Sequence, residues 1–177
     1  NASNNNIADI SVIENLPNLI SFAAHINKIT ILPDNFSDLK KLNYLDLSYN
    51  EILELPAMAG LDSLKTLYLG HNEISDMTPL DSLENLEVLS IAGNKITKIP
   101  ILKNLKSLWD LGLEMNEITD LSGLSDNDSF PGLNRLGLSY NKIENAEPLR
   151  KREGLGSLYI DNNCIKDLLP LEELKES

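Results

Sequence analysis

Eight asparagines recur in register along this chain: Asn5, Asn27, Asn50, Asn72, Asn94, Asn116, Asn141 and Asn163, mostly 22 residues apart. Seven of them sit in a full copy of Leu-x-x-Leu-x-Leu-x-x-Asn-x-Ile, from LISFAAHINKI at Leu19 to LGSLYIDNNCI at Leu155. A fixed period of this length specifies a stack of one small supersecondary unit. The alternation in Leu45-Asp46-Leu47 and Leu67-Tyr68-Leu69 has period two, as expected of a short strand with one buried face. One unit carries too little apolar surface to fold alone. Stacking brings the Leu and Ile of successive coils together and builds a continuous core. Parallel strands about 4.8 Å apart then give a sheet roughly 30 Å long.

The asparagine marks the point where the chain leaves the strand and bends back. Backbone groups stranded there cost about 1–3 kcal/mol each if they are left unpaired. An amide side chain offers both donors and an acceptor, so each Asn is expected to bond to the bend of its own coil and of the next. These residues are read as structural and none as a site residue. The return segment carries a second apolar set, such as Met77, Leu80 and Leu83, or Ile99, Leu102 and Leu105, or Leu55, Met58 and Leu61. Spacings of three, with Pro56, Pro79, Pro100, Pro148 and Pro170 among them, predict turns and short 3-10 segments rather than α-helices.

The period runs from end to end, so residues 1–177 read as a single repeat domain of about seven full copies after a truncated one, cut from a longer protein. The formal charge of −12 argues against nucleic acid, which is held by clustered Lys and Arg, and against an anionic membrane surface. No apolar run is long enough to span a bilayer. Cys164 is the only cysteine, which excludes an internal disulfide, and its slot holds Lys or Glu in the other full copies.

In a stack the scaffold positions repeat, so working positions are those that vary. Strand side chains alternate between core and surface. The residue between the second and third Leu reads Ala23, Asp46, Tyr68, Ser90, Gly112, Gly137 and Tyr159. The one before the second Leu reads Ser21, Tyr44, Thr66, Val88, Asp110, Arg135 and Ser157. Just before each Asn come Ile26, Tyr49, His71, Gly93, Met115, Tyr140 and Asn162, and Trp109 adds a further exposed ring. Aromatic residues are only 5% of the chain, yet most of its Tyr and its single Trp fall on these positions. Tyr, Trp and Arg are the types enriched in binding hot spots. The candidate partner-binding residues are therefore Tyr44, Asp46, Tyr49, Tyr68, His71, Trp109, Asp110, Gly112, Met115, Arg135, Gly137, Tyr140 and Tyr159. Ser90, Gly112 and Gly137 predict a shallow floor walled by Trp109, Met115 and Tyr140, where an apolar or aromatic side chain of the partner docks.

Catalytic chemistry has little to stand on. His25 and His71 occupy different slots of non-adjacent coils, no Ser has an evident His partner, and no phosphate-binding loop is present. The longer step between Asn116 and Asn141 adds chain at residues 121–131. Its Asp126 and Asp128, with Asp120, could ligate Ca²⁺, but the spacing lacks the Gly and terminal Glu of an EF-hand loop, so a solvated turn is expected. No cofactor is implied.

The assembled consensus resembles the leucine-rich repeat over essentially the whole chain. The 22-residue period and the stretch NEISDMTPLDSLENL are similar to the repeats of bacterial internalin-type surface proteins. The Pro-Leu pair of those repeats is clean here only at Pro79-Leu80, Pro148-Leu149 and Pro170-Leu171, and Arg152 stands where other copies hold Leu or Phe130. The resemblance implies an α/β-type solenoid, a right-handed horseshoe with a concave parallel β-sheet and a convex side of turns and short 3-10 segments. It implies a non-enzymatic module, monomeric, that binds another protein on the concave face, at a bacterial surface or secreted. The resemblance also admits a cytoplasmic or nuclear eukaryotic scaffold that docks an enzyme such as a phosphatase, and composition admits a structural spacer.

Overall fold

Seven three-residue strands form one all-parallel sheet in sequence order in the computed structural model, which describes residues 1–36, 38–150 and 152–174. They are β1 Ser21–Ala23, β2 Tyr44–Asp46, β3 Thr66–Tyr68, β4 Val88–Ser90, β5 Asp110–Gly112, β6 Arg135–Gly137 and β7 Ser157–Tyr159. Pairing follows the repeat without a slip, so Leu45, Leu67, Leu89, Leu111, Leu136 and Leu158 are successive partners along one line. The ladder runs past each strand: the Leu47 N–H donates to Tyr68 O at 2.8 Å and the Tyr49 N–H to Gly70 O at 2.7 Å. Ahead of β1, residues 1–4 continue it, with the Ala2 and Asn4 amides donating to Ala23 O and His25 O.

The core is the repeat seen edge on. Leu42, Leu45, Ile52, Leu64, Leu67, Leu69 and Ile74 have no exposed surface to speak of, and neither do their equivalents through Leu136 and Ile143. The return-segment set, including Met77, Leu80, Leu83, Ile99, Leu102 and Leu105, is buried behind them. In the first and last coils Leu19, Phe22, Leu155 and Leu158 occupy the same slots half-covered, because each has a neighbour on one side only.

Each internal Asn works as predicted, except in direction. The Asn50 amide donates to Leu47 O in its own coil at 2.9 Å and to Ala24 O at 3.0 Å, while its Oδ1 accepts from the Ile29 amide at 2.9 Å. Ala24 and Ile29 belong to the preceding coil, not the following one. Asn72, Asn94 and Asn116 repeat this geometry with Ile52, Ile74 and Ile96, and Asn141 and Asn163 with Ile118 and Ile143. The bend leaves its strand with carbonyls pointing back along the stack, so the amide finds its partners there.

The opposite side contains no α-helix among the described residues, only 3-10 turns at Ser11–Asn15, Thr78–Ser82, Ser122–Leu124, Glu147–Leu149 and Leu169–Glu173. Every one starts two residues after an Asp or Asn that stands four residues beyond the repeat asparagine. The Asp9, Asp76, Asp120, Asn145 and Asp167 side chains accept from the amides of Ser11, Thr78, Ser122, Glu147 and Leu169. Such Asx turns hold the chain in the tight bend from which a 3-10 turn starts. Where that place holds Ile31, Glu54 or Lys98, no 3-10 turn follows among the described residues.

Arg152 takes the apolar slot of its coil and is buried there. Its guanidinium donates to Asp126 O at 3.2 Å and to Phe130 O, so it laces the extra chain of residues 121–131 to the next coil. Burial pulls its basicity down from the usual guanidinium range. The carboxylates of Asp126 and Asp128 turn outward to Lys103, at 3.0 and 3.8 Å.

Candidate functional site

Outward-facing side chains of the sheet fall into two groups with a gap between them. On β2 and β3 the Tyr44 and Tyr68 rings meet edge to face, 5.8 Å apart at 80°. Asp46 lies beside them, its carboxylate 3.3 Å from His25 Nδ1 and its Oδ1 accepting from the Ser48 amide. Partial burial and the neighbouring Asp46 raise the Tyr44 hydroxyl above the usual phenol range. On β5 to β7 the Arg135 guanidinium donates to Asp110 at 2.9 Å and lies 5.2 Å from the centroid of the Tyr159 ring. The Asp110 carboxylate, and after it the polar end of the Tyr159 side chain, hold the guanidinium even more firmly protonated than usual.

A third row follows the end of the strands. Ile26, Tyr49, His71, Met115, Tyr140 and Asn162 all have left-handed backbone, with φ between 53° and 59°, and Gly93 has φ 67°. A run of non-glycine residues in this region is uncommon. Here the repeat imposes it, since each bend carries the chain off its strand into the Asn-bonded loop. The conformation throws the side chains out along the rim, where Tyr49, Met115 and Tyr140 remain about half exposed. Tyr49 and His71 stack face to face, 4.2 Å between centroids.

Trp109 is exposed, as expected, but elsewhere. It precedes β5, in line with Lys65 and Glu87, and its backbone bonds to Glu87 and Arg135 on the opposite rim. This placement corrects the expected hollow. The depression between the two groups has a volume near 220 Å³ and is lined by Tyr68, Val88, Leu89, Ser90, Asp110, Gly112, Glu114, Arg135 and Gly137. Trp109, Met115 and Tyr140 are not its walls. Nor is its floor bare, because the Glu114 carboxylate lies across both glycines. A Cβ at Gly112 would sit 3.0 Å from Glu114 Oε2, and one at Gly137 would collide with the carboxylate. The adjacent glycines (register partners on β5 and β6) make room for an acidic side chain, and the depression is polar.

Glu114 lies outside the sequence-expected surface rows, in the column His25, Ser48, Gly70, Ala92, Glu114, Ser139 and Asp161. The signal was there: Glu114 is the one long acidic side chain in a run of small residues.

One Ser does meet a His, contrary to expectation. Ser3 Oγ lies 2.9 Å from His25 Nδ1, the same nitrogen that faces Asp46. A proton relay needs base and orienting carboxylate on opposite nitrogens, so this trio cannot act as one. No grouping of three or more His, Cys, Asp or Glu suited to a metal occurs among the described residues. Asp120 and Asp126 are instead held below the usual carboxylate range, first by the backbone amides of Ser122 and Asp128. Cys164 is exposed. No helix among the described residues is long and apolar enough to cross a membrane.

Comparison with known proteins places this geometry among relatives. Two family models match, both described as leucine-rich repeats, over residues 25–74 and 84–126. No curated protein sequence matches the chain. Among solved structures, internalin C2 of Listeria monocytogenes is 36% identical with a TM-score of 0.83, the match covering 98% of this chain and 75% of that one. The internalin inlF of the same organism is 30% identical, also at 0.83, over 97% of this chain. A leucine-rich-repeat protein of Leptospira interrogans is 29% identical at 0.80. This chain spans half of the inlF chain and 46% of the Leptospira one.

Proposed function

The chain belongs to the leucine-rich repeat family, and from that membership we propose that it is a non-enzymatic module that binds a partner protein on its concave sheet. The observation that carries this reading is the placement of Tyr44, Tyr68, Tyr159, Arg135 and Asp110 on one outward face, with Tyr49 and His71 on its rim. The core does not use them there. Aromatic and Arg side chains on a rigid sheet lose little freedom on binding, which is why such residues dominate interface energetics. Residues 1–177 act as one repeat domain in this reading.

Likeness to the internalins supports a bacterial setting, outside the cell or on its surface. An excess of twelve negative charges favours a protein partner over nucleic acid. Affinity capture tests the proposal with three proteins: wild type, Tyr68→Ala with Tyr159→Ala, and a convex-side control, Thr78→Ala. The expected result is a captured protein that the control retains and the double variant loses. Equal capture by all three would remove the concave face from consideration.

A further inference from the structure

The depression over Gly112 and Gly137 suits one kind of visitor better than any other. The Glu114 carboxylate has no hydrogen-bond or ion-pair partner among the described residues, although it lies folded onto the sheet. The other carboxylates of this face are all engaged: Asp46 by His25, Asp110 by Arg135, and Asp161 by Ser139 and Asn162. The only guanidinium lining the depression, Arg135, is already spent on Asp110 and the Tyr159 ring. An acidic group entering here would meet the Glu114 charge with no free cation to receive it. An apolar group would strip water from that charge with nothing in return, which is costly. A cationic side chain gains from the carboxylate and can lay its apolar stem against the Tyr68 side chain that lines the depression.

We propose that this depression receives a lysine or arginine side chain of the partner protein, its cation on Glu114 and its aliphatic stem between Tyr68 and Val88. The inference rests on the concave face being the binding surface and names the chemistry of what binds. The volume near 220 Å³ admits a single side chain, and the glycines let the Glu114 carboxylate lie flat on the floor where its tip would meet it. The overall negative charge would draw a basic partner to the face, and Glu114 would set its register.

The test needs no identified partner. Blocked pentapeptides Gly-Gly-X-Gly-Gly, with X as Lys, Arg, Glu or norleucine, are titrated into ¹⁵N-labelled protein while the Gly112 and Gly137 amide resonances are followed. Both should shift saturably with the Lys and Arg peptides and stay still with the other two. Glu114→Gln should weaken the response roughly fivefold, the scale of a part-exposed ion pair. Glu54→Gln, which removes the same charge from the far side, should leave it unchanged. Shifts that survive Glu114→Gln, or that norleucine produces equally, would overturn the proposal. Such a failure leaves the concave-face reading standing if Tyr68→Ala with Tyr159→Ala still abolishes protein capture; loss of both results removes both readings.

Discussion

The imidazole of His71 fills the space that Gly93 leaves open on the next coil, and Tyr49 covers its other face. A Cβ at Gly93 would lie 2.7 Å from His71 Nδ1, while the Tyr49 ring stacks at an interplanar angle of 14°. Three coils are thereby joined along the rim by one aromatic pair and one missing side chain. A double-mutant cycle on Tyr49→Ala and His71→Ala should return a coupling of about 0.5 kcal/mol, at the low end for aromatic pairs because both rings face solvent. Gly93→Ala should cost about 1 kcal/mol for its left-handed backbone and displace the His71 ring, seen as a change in that ring's proton shifts. Additive single-variant effects would mean that the stack is incidental.

The asparagine ladder makes an uneven prediction along the stack. Asn94→Ala strands the Ile74 amide in a buried place, takes one of two side-chain amide donors from each of the Leu69 and Ile91 carbonyls, and should cost about 2 kcal/mol in urea unfolding. Asn5→Ala removes bonds to Ala2 O and Ser3 O at an exposed end and should cost well under about 1 kcal/mol. Equal losses at both positions would contradict the ladder account.

Arg152→Ala leaves a void in the core column and takes one donor each from the carbonyls of Phe130 and Asp126, which keep the Leu133 and Ser129 amides. A loss of about 3 kcal/mol is expected, with faster amide exchange across residues 121–131. Arg152→Leu restores the side chain that the other coils use. It should recover more than half of the lost stability while leaving the loop exchange fast, since Leu packs but cannot donate.

Two glycines should respond oppositely to alanine. At Gly123 a Cβ would strike the carbonyl oxygens of Ile99 and Pro100, which are backbone atoms of the preceding coil and cannot step aside. Gly123→Ala should therefore destabilise by about 2 kcal/mol or more, as overpacking does. At Gly137 the obstacle is the tip of the Glu114 side chain, which can swing away. Gly137→Ala should change stability by less than about 0.5 kcal/mol, as surface substitutions usually do. Calorimetry of the two variants decides the matter.

The Asx turns carry a pH dependence of defined sign. Hydrogen bonds from Ser122, its backbone amide first, depress Asp120 below its ordinary 3.8 in the folded chain. Its contribution is therefore present above that value and lost as pH falls through the lower folded one. Asp120→Asn keeps the acceptor, as Asn145 does in its own coil, and should flatten this part of the acid response. Asp120→Ala should lose roughly 0.5–1 kcal/mol near neutral pH, the scale of a missing cap. Urea midpoints at pH 7 and about pH 2.5 test the sign: a wild-type carboxylate that stabilises more at the acid end would refute it.

Because stacking makes every coil face the same physical demands, sequence alone determined the period, the strand positions, the buried columns and the structural role of the asparagines, though not that they bond to the preceding coil. It also holds the rule for the 3-10 turns, an Asp or Asn four residues beyond the repeat asparagine, although only the hydrogen bonds of the fold show that this residue starts the turn. The outward rows were legible as well, since alternation along a strand follows from backbone geometry. What the columns could not reveal was how side chains from neighbouring coils lean on one another. Whether Gly112 and Gly137 form an open floor or a bed for Glu114, and whether Trp109 walls that place or stands on the far rim, depends on rotamers and on contacts across the sheet. Repetition dictates the backbone through local, identical forces. The surface is decided by packing between residues 21 to 25 positions apart, from His25 and Asp46 to Asp110 and Arg135, which only the assembled stack brings into contact.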